Sequence, residues 1–185
     1  MVLWIIIGII VLLVLWIIAM YNGFIKARIK IDNSWSDINV FLKKRFDLIP
    51  NLVNTVKGYA AHESQTLEKV VQARNAAAAA PPGDVEKVAQ ANQVLGGAVK
   101  GLLALAESYP DLKANQNFMQ LQQALQDIEG DLGNSRRYYN ATVRDYNTSI
   151  QQFPGVLLAN MSGFTKREFF ELENATEARN VEVKF

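Results

Sequence analysis

The chain has 185 residues, with nineteen basic and eighteen acidic side chains, one histidine and no cysteine. A charge balance this even, without a clustered basic excess, points away from a polyanion partner, so no nucleic acid is expected. The lack of cysteine removes disulfides, thiol catalysis and thiolate metal sites together, and leaves the compartment open, since cysteine-free chains occur on both sides of a membrane.

The first element is a membrane span. Val2 to Met20 carries no charged side chain. Its nineteen residues cover roughly 28 Å as a helix, against a hydrocarbon layer of about 30 Å. Trp4, Trp16 and Tyr21 stand toward its ends, where amphipathic rings favour the headgroup level, and Lys26, Arg28 and Lys30 follow. A cleaved signal peptide would need a basic leading region, a shorter apolar run and a small-x-small cleavage site, none of which is present. Residues 1–22 are therefore read as a retained single-pass anchor, with the lipid bilayer as first partner. Three basic residues after the span, against only the terminal amine before it, place the body in the cytoplasm by the positive-inside rule. The same three suit anionic headgroups, at about 1 kcal/mol each.

From Tyr21 the apolar period continues. Phe24, Ile31, Trp35, Ile38, Leu42, Phe46 and Ile49 keep helical spacing, so the anchor is expected to run into a first helix of the body, about 24–47. Pro50 lacks an N–H and clashes with the preceding turn. Two outcomes fit it: a stop between Asp47 and Pro50 with a second helix at about 49–80, or a kink in one longer helix. The second stripe is Val53, Val56, Ala60, Leu67 and Val70; it leads into the alanines at 76–80, and Pro81-Pro82-Gly83 ends it. Asp84 is the candidate cap of a third helix, about 84–109, striped by Val85, Val88, Asn92, Leu95, Val99, Leu102, Ala106 and Tyr109 and closed by Pro110. Gly96-Gly97 inside that stripe points to close helix packing.

The fourth helix, about 114–153, has the longest seam: Phe118, Leu121, Leu125, Ile128, Leu132, Ser135, Tyr139, Thr142, Tyr146, Ser149 and Phe153, in steps of three and four. At roughly 60 Å it suits a bundle better than the surface of a globule. Its second half interleaves tyrosines with serine and threonine, which predicts a wetter core whose hydroxyls need partners. After Pro154-Gly155 comes a tail, 156–185, that opens with Val156, Leu157, Leu158, Met161, Phe164, Phe169 and Phe170. These either cap the open end of the core or stay partly exposed as a patch for lipid or protein. From Glu171 the chain turns polar and acidic apart from Val181, Val183 and Phe185, and loose or partner-dependent order is expected. The fold class is all-α: an N-terminal transmembrane helix continuous with an antiparallel up-down four-helix bundle, 23–155, packed through coiled-coil-like seams. In that topology the fourth helix returns to the membrane and delivers the tail to its surface.

Chemical motifs are sparse. His62-Glu63 lacks the second histidine four residues on that a helical zinc site requires. No nucleophile elbow, P-loop or dinucleotide fingerprint occurs, so no catalytic, cofactor or metal residue is assigned and the protein is not expected to be an enzyme. The Asn-x-Ser/Thr triplets at Asn140, Asn147, Asn160 and Asn174 would matter only in a secretory lumen.

The segment RFDLIPNLVNTVKGYAAHE, from Arg45 to Glu63, resembles the LemA family of bacterial membrane proteins. So do ESYPDLKANQNF, YYNATVRDYNTSIQQFPG and GFTKREFFE, at 107–118, 138–155 and 163–171, and NSWSDINVFLKKR before them. The resemblance implies a single-pass anchor in the bacterial cell membrane carrying an antiparallel four-helix bundle, with no established enzymatic activity. Relatives are associated with membrane remodelling in magnetosome formation and with membrane-bound proteases, which looks like scaffold or adaptor work. The expected function is a scaffold that forms homo-oligomers or recruits a membrane protease or other membrane protein through Leu157, Leu158, Met161, Phe164, Phe169 and Phe170. The alternative is a small-ligand or envelope-stress sensor that uses the polar half of the core around Tyr139 and Tyr146.

Overall fold

The computed structural model describes residues 1–170. Helix α1 runs over Val2–Lys57, α2 over Ser64–Ala79, α3 over Val85–Ala106, α4 over Pro110–Lys113, α5 over Gln116–Gln151 and α6 over Gly155–Ser162. No strand occurs among the described residues, so the all-α expectation holds, and α1 runs without a break from its long apolar stretch into the body. The chain divides into two compact units, Met1–Lys44 with Gln126–Phe169, and Arg45–Leu125, to which Phe170 also belongs.

In the second unit the stop between Asp47 and Pro50, with helices at about 24–47 and 49–80, is overturned, and of the two outcomes that fit Pro50 one longer helix is found. Helix α1 passes through Pro50 and ends at Lys57, and α2 starts at Ser64. Proline removes the N–H that would bond the carbonyl four residues earlier, here that of Phe46. Arg74 Nε donates to the Phe46 carbonyl oxygen at 3.2 Å and supplies the missing bond. The chain turns instead between Gly58 and Glu63, where the Tyr59 and Ala60 amides both donate to the Val56 carbonyl, at 3.0 and 2.9 Å. Ala60 is buried inside this turn. Asn115 donates to the Tyr59 hydroxyl at 2.8 Å and ties the turn to the start of α5.

The core of this unit follows the stripes. Ile49, Leu52 and Val56 of α1 meet Leu67, Val70, Ala73 and Ala77 of α2, Leu95, Val99, Leu102 and Ala106 of α3, Leu112 of α4, and Phe118 and Leu125 of α5. Asp84 caps α3 by accepting from the Lys87 amide at 3.0 Å. The hydrogen bonds from Lys87 hold its carboxyl below the usual aspartate range. Asn115 caps α5 in the same way, through the Phe118 amide at 3.0 Å. Two buried positions are polar: Asn92, which donates to the Val88 carbonyl at 2.9 Å, and Arg45, which is only 3% exposed. Its guanidinium lies beside Gly96, where a Cβ would stand 3.4 Å from Nη2. The close packing expected at the glycine pair thus belongs to Gly96, which makes room for an arginine, while Gly97 faces open space.

In the first unit the apolar first stretch of α1, long enough to cross a membrane, is exposed along its length. Beyond it, Phe24, Ile31, Ser34, Ile38 and Leu42 turn inward. On α5, Leu132, Tyr139, Thr142, Val143, Tyr146 and Ile150 are buried as well. The Ser34 and Thr142 hydroxyls, 3.3 Å apart, form the polar centre of this packing. Trp35, placed on the stripe by spacing alone, is half-buried and tilts against Tyr139 with ring centres 5.4 Å apart.

Candidate site at the membrane exit

The functional candidates gather at the end of the first unit where α1 leaves its apolar stretch. The chain after α5 reverses through Pro154, preceded by a cis peptide, and forms α6. Gly163 then adopts φ +71°, the left-handed conformation that glycine occupies without a Cβ clash and that commonly ends a helix. From there residues 163–168 run back along α5 as an extended strap.

Side chains of α5 hold the strap by its main chain. Tyr146 donates to the Thr165 carbonyl at 3.0 Å and Tyr139 to the Glu168 carbonyl at 2.9 Å. Asn147 makes a two-way clamp on Arg167, donating from Nδ2 to its carbonyl and accepting its amide at Oδ1, both at 2.9 Å. Arg167 reaches on to Asp32 of α1 at 2.7 Å. The two tyrosine hydroxyls predicted to need partners thus find them in the tail, whereas those of Thr142 and Ser149 donate to carbonyls of α5 itself. Burial pushes the Tyr139 hydroxyl up to about 12 and raises that of Tyr146 as well.

The strap begins with Phe164, which is buried and packs edge-on against Tyr21 and Phe24, with ring centres 5.5 and 5.3 Å away. Arg28 lies over the same ring at 5.8 Å, and Lys30 over Tyr138 at 5.5 Å. Lys26, the third residue of the predicted basic group, is exposed. Between α1 and α5 runs an open groove of about 390 Å³, lined among others by Met20, Phe24, Lys30, Asp145 and Tyr146.

The six residues predicted as an assembly surface separate by burial. Phe164 and Phe170 are buried, so they serve internal packing, and Leu158 is half-buried. Leu157, Met161 and Phe169 are exposed, at 58%, 87% and 42%. Phe153, assigned by spacing to the buried seam of α5, is 80% exposed because α5 stops at Gln151. Asn147 was not anticipated as a binding residue. Its signal was present in Val143 and Ile150, apolar positions one step off the main seam that mark a second covered face on α5. His62 lies in the exposed turn between α1 and α2. Among the described residues no group of three potential metal ligands comes together.

A helix long and apolar enough to cross a membrane, joined to all-helical units, defines the class: a membrane-associated helical protein. The LemA family pattern matches residues 34–185, and the chain belongs to that family. It is similar to the magnetosome protein MamQ of Magnetospirillum gryphiswaldense, with 25% identity over 174 residues, covering 81% of this chain and 64% of the relative. A similar match, 25% over 175 residues, is MamQ 2 of Paramagnetospirillum magneticum. Protein LemA of Metamycoplasma hominis is 26% identical over 133 residues, which is 71% of this chain and 60% of the relative. The chain thus spans less than two thirds of the length of these curated relatives.

Proposed function

We propose that the protein is a single-pass, membrane-anchored helical scaffold or adaptor of the bacterial cell membrane. Its body lies on the cytoplasmic side, and it holds copies of itself, or a membrane protease or other membrane protein, side by side at the bilayer surface. The observation that carries this reading is the apolar surface left uncovered on the first stretch of α1 and at Phe169. An anchored protein needs little more, since confinement raises effective concentration and makes weak lateral contacts count. The sensor reading is less well supported. The Tyr139 and Tyr146 hydroxyls that a small ligand would use are engaged by carbonyls of the chain's own strap.

The test is to excise the full chain with its surrounding lipid by polymer and count the fluorophore-labelled copies in each particle. More than one copy per particle, or one copy joined in stoichiometric amount to a second membrane protein by a crosslinker on Phe169→Cys, is expected. Single, uncrosslinked copies would refute the scaffold.

A further inference from the structure

Helix α6 is more than a cap. Gly155 at its start and Phe164 just after its end both meet the same side chain. A Cβ on Gly155 would stand 3.1 Å from Phe24 Cζ, and the Phe164 ring centre is 5.3 Å from that of Phe24. Phe24 is four residues beyond Met20, the last residue of the uncharged span. Four helical residues rise about 6 Å, within the headgroup layer of roughly 5–8 Å on each side of the hydrocarbon. The level of α6 relative to the span is therefore set by contacts at both of its ends.

The composition of this stretch matches that level. From Tyr146 to Thr165 the chain carries no Asp, Glu, Lys or Arg. Leu157 and Met161, four residues apart, share one face of α6 and are both exposed, and Phe153 just before the helix is exposed too. The charges return immediately beyond, at Lys166 and Arg167, and Arg28 stands over Phe164. Uncharged apolar side chains below a basic collar are the pattern of a helix lying in a membrane interface. At eight residues, about 12 Å, α6 is far too short to cross the bilayer.

We propose that α6 is an interfacial helix, embedded by Phe153, Leu157 and Met161 at the boundary of headgroups and acyl chains in the leaflet that α1 leaves. The occupant of its apolar face is phospholipid. This rests on the reading of Val2 to Met20 as a span and adds a second, monotopic contact with the same membrane.

Because the chain has no cysteine, single sites can be labelled cleanly in the full protein. Met161→Cys, Leu157→Cys, Val94→Cys on the exposed side of α3 and Ile10→Cys in the span are each labelled with a small fluorophore. The proteins are reconstituted into vesicles of phosphatidylethanolamine and phosphatidylglycerol containing a lipid with a nitroxide near the top of its acyl chain or, for the label at 10, near the end of that chain. At 161 and 157, quenching by the nitroxide lipid should exceed that at 94 by roughly fivefold or more, with a matching loss of quenching by aqueous iodide. Iodide quenching at 161 and 157 equal to that at 94 overturns the proposal, because the face is then in water. Shielding from both quenchers overturns it in favour of a protein cover. A label at 10 that the nitroxide lipid does not reach rejects the span itself and the proposal with it. A quenched label at 10 with unquenched labels at 161 and 157 rejects α6 alone.

Discussion

Truncating Asn147 to alanine removes both hydrogen bonds that clamp Arg167, each 2.9 Å long, and leaves an amide and a carbonyl of the strap without their partner. Each bond contributes about 0.5–1.5 kcal/mol net, and a part-buried group left unsatisfied adds to the loss, so about 2–4 kcal/mol is expected. The loss falls on the strap. The Tyr139 and Tyr146 bonds and the Phe164 packing remain, and the cores of both units are untouched. At tenfold per 1.4 kcal/mol, detachment of the strap should become roughly thirty to several hundred times more frequent. Trypsin reads this directly, because cleavage after Arg167 requires its main chain to leave Asn147 and enter the protease. Initial cleavage rates of Asn147→Ala should rise by that factor over the unmodified protein, with melting of the helices nearly unchanged. Thr148→Ala, at an exposed neighbouring position, is the control. Equal cleavage rates for the two variants would refute the clamp.

Leu95→Ala and Leu125→Ala, both in the buried core of the second unit, should each cost about 2–5 kcal/mol in denaturant unfolding, and a change near zero at both would reject the seams. Gly155→Ala would press a Cβ onto the Ser149 carbonyl and the Phe24 ring and should cost about 1–3 kcal/mol, whereas Gly97→Ala, which meets open space, should be neutral or slightly stabilising in the same melting assay. Because burial raises the Tyr139 hydroxyl from 10.0 to about 12, the fold binds that proton more tightly than the unfolded chain does. The stabilisation is complete below pH 10 and is lost as pH rises through 12, at about 1.4 kcal/mol per pH unit in that window. Tyr139→Phe should flatten this slope, leaving the part due to Tyr146. A cysteine placed at Gly83 should resist membrane-impermeant reagents in intact cells, and labelling there would reverse the cytoplasmic orientation.

What could be read from the residues and what could not divide along physical lines. The long apolar stretch of α1 was legible because so long an uncharged run suits a bilayer-crossing helix, and the α3 and α5 stripes were legible because burial on one face leaves a strict period. Leu95, Val99, Leu102, Leu125 and Leu132 all turned inward as spacing required. Pro50 misled because its cost is local and can be met from elsewhere. A distant arginine, Arg74, supplies the lost donor, and no local pattern announces that. The turn at Gly58 to Glu63 was missed for the converse reason, since it contains one ordinary glycine, no proline, and a buried alanine that reads as helix. At the candidate site, the need of Tyr139 and Tyr146 for partners was readable, but the partners are main-chain carbonyls, which carry no residue-type signal. The tail's apolar residues were read as too many to be left in water, and the structure divides them: Phe164 and Phe170 are buried, while Leu157, Met161 and Phe169 are exposed. Which of them turn inward depends on the reversal at Gly163, whose geometry brings Phe164 to Phe24 and leaves Leu157 and Met161 outside.

The clamp on the strap also determines which residues are free to vary. Tyr139, Tyr146 and Asn147 grip peptide groups, so the side chains of Thr165, Lys166 and Glu168 take no part in those bonds and can be exchanged without loosening the hold. Proline at 167 is the exception, since it would delete the one amide that Asn147 accepts. Drift is therefore cheap along the exposed edge of the strap and costly on the helix that reads it. Between those two anchoring tyrosines the outward side chains can be retuned in charge or bulk for whatever they face, while the path of the chain stays as it is.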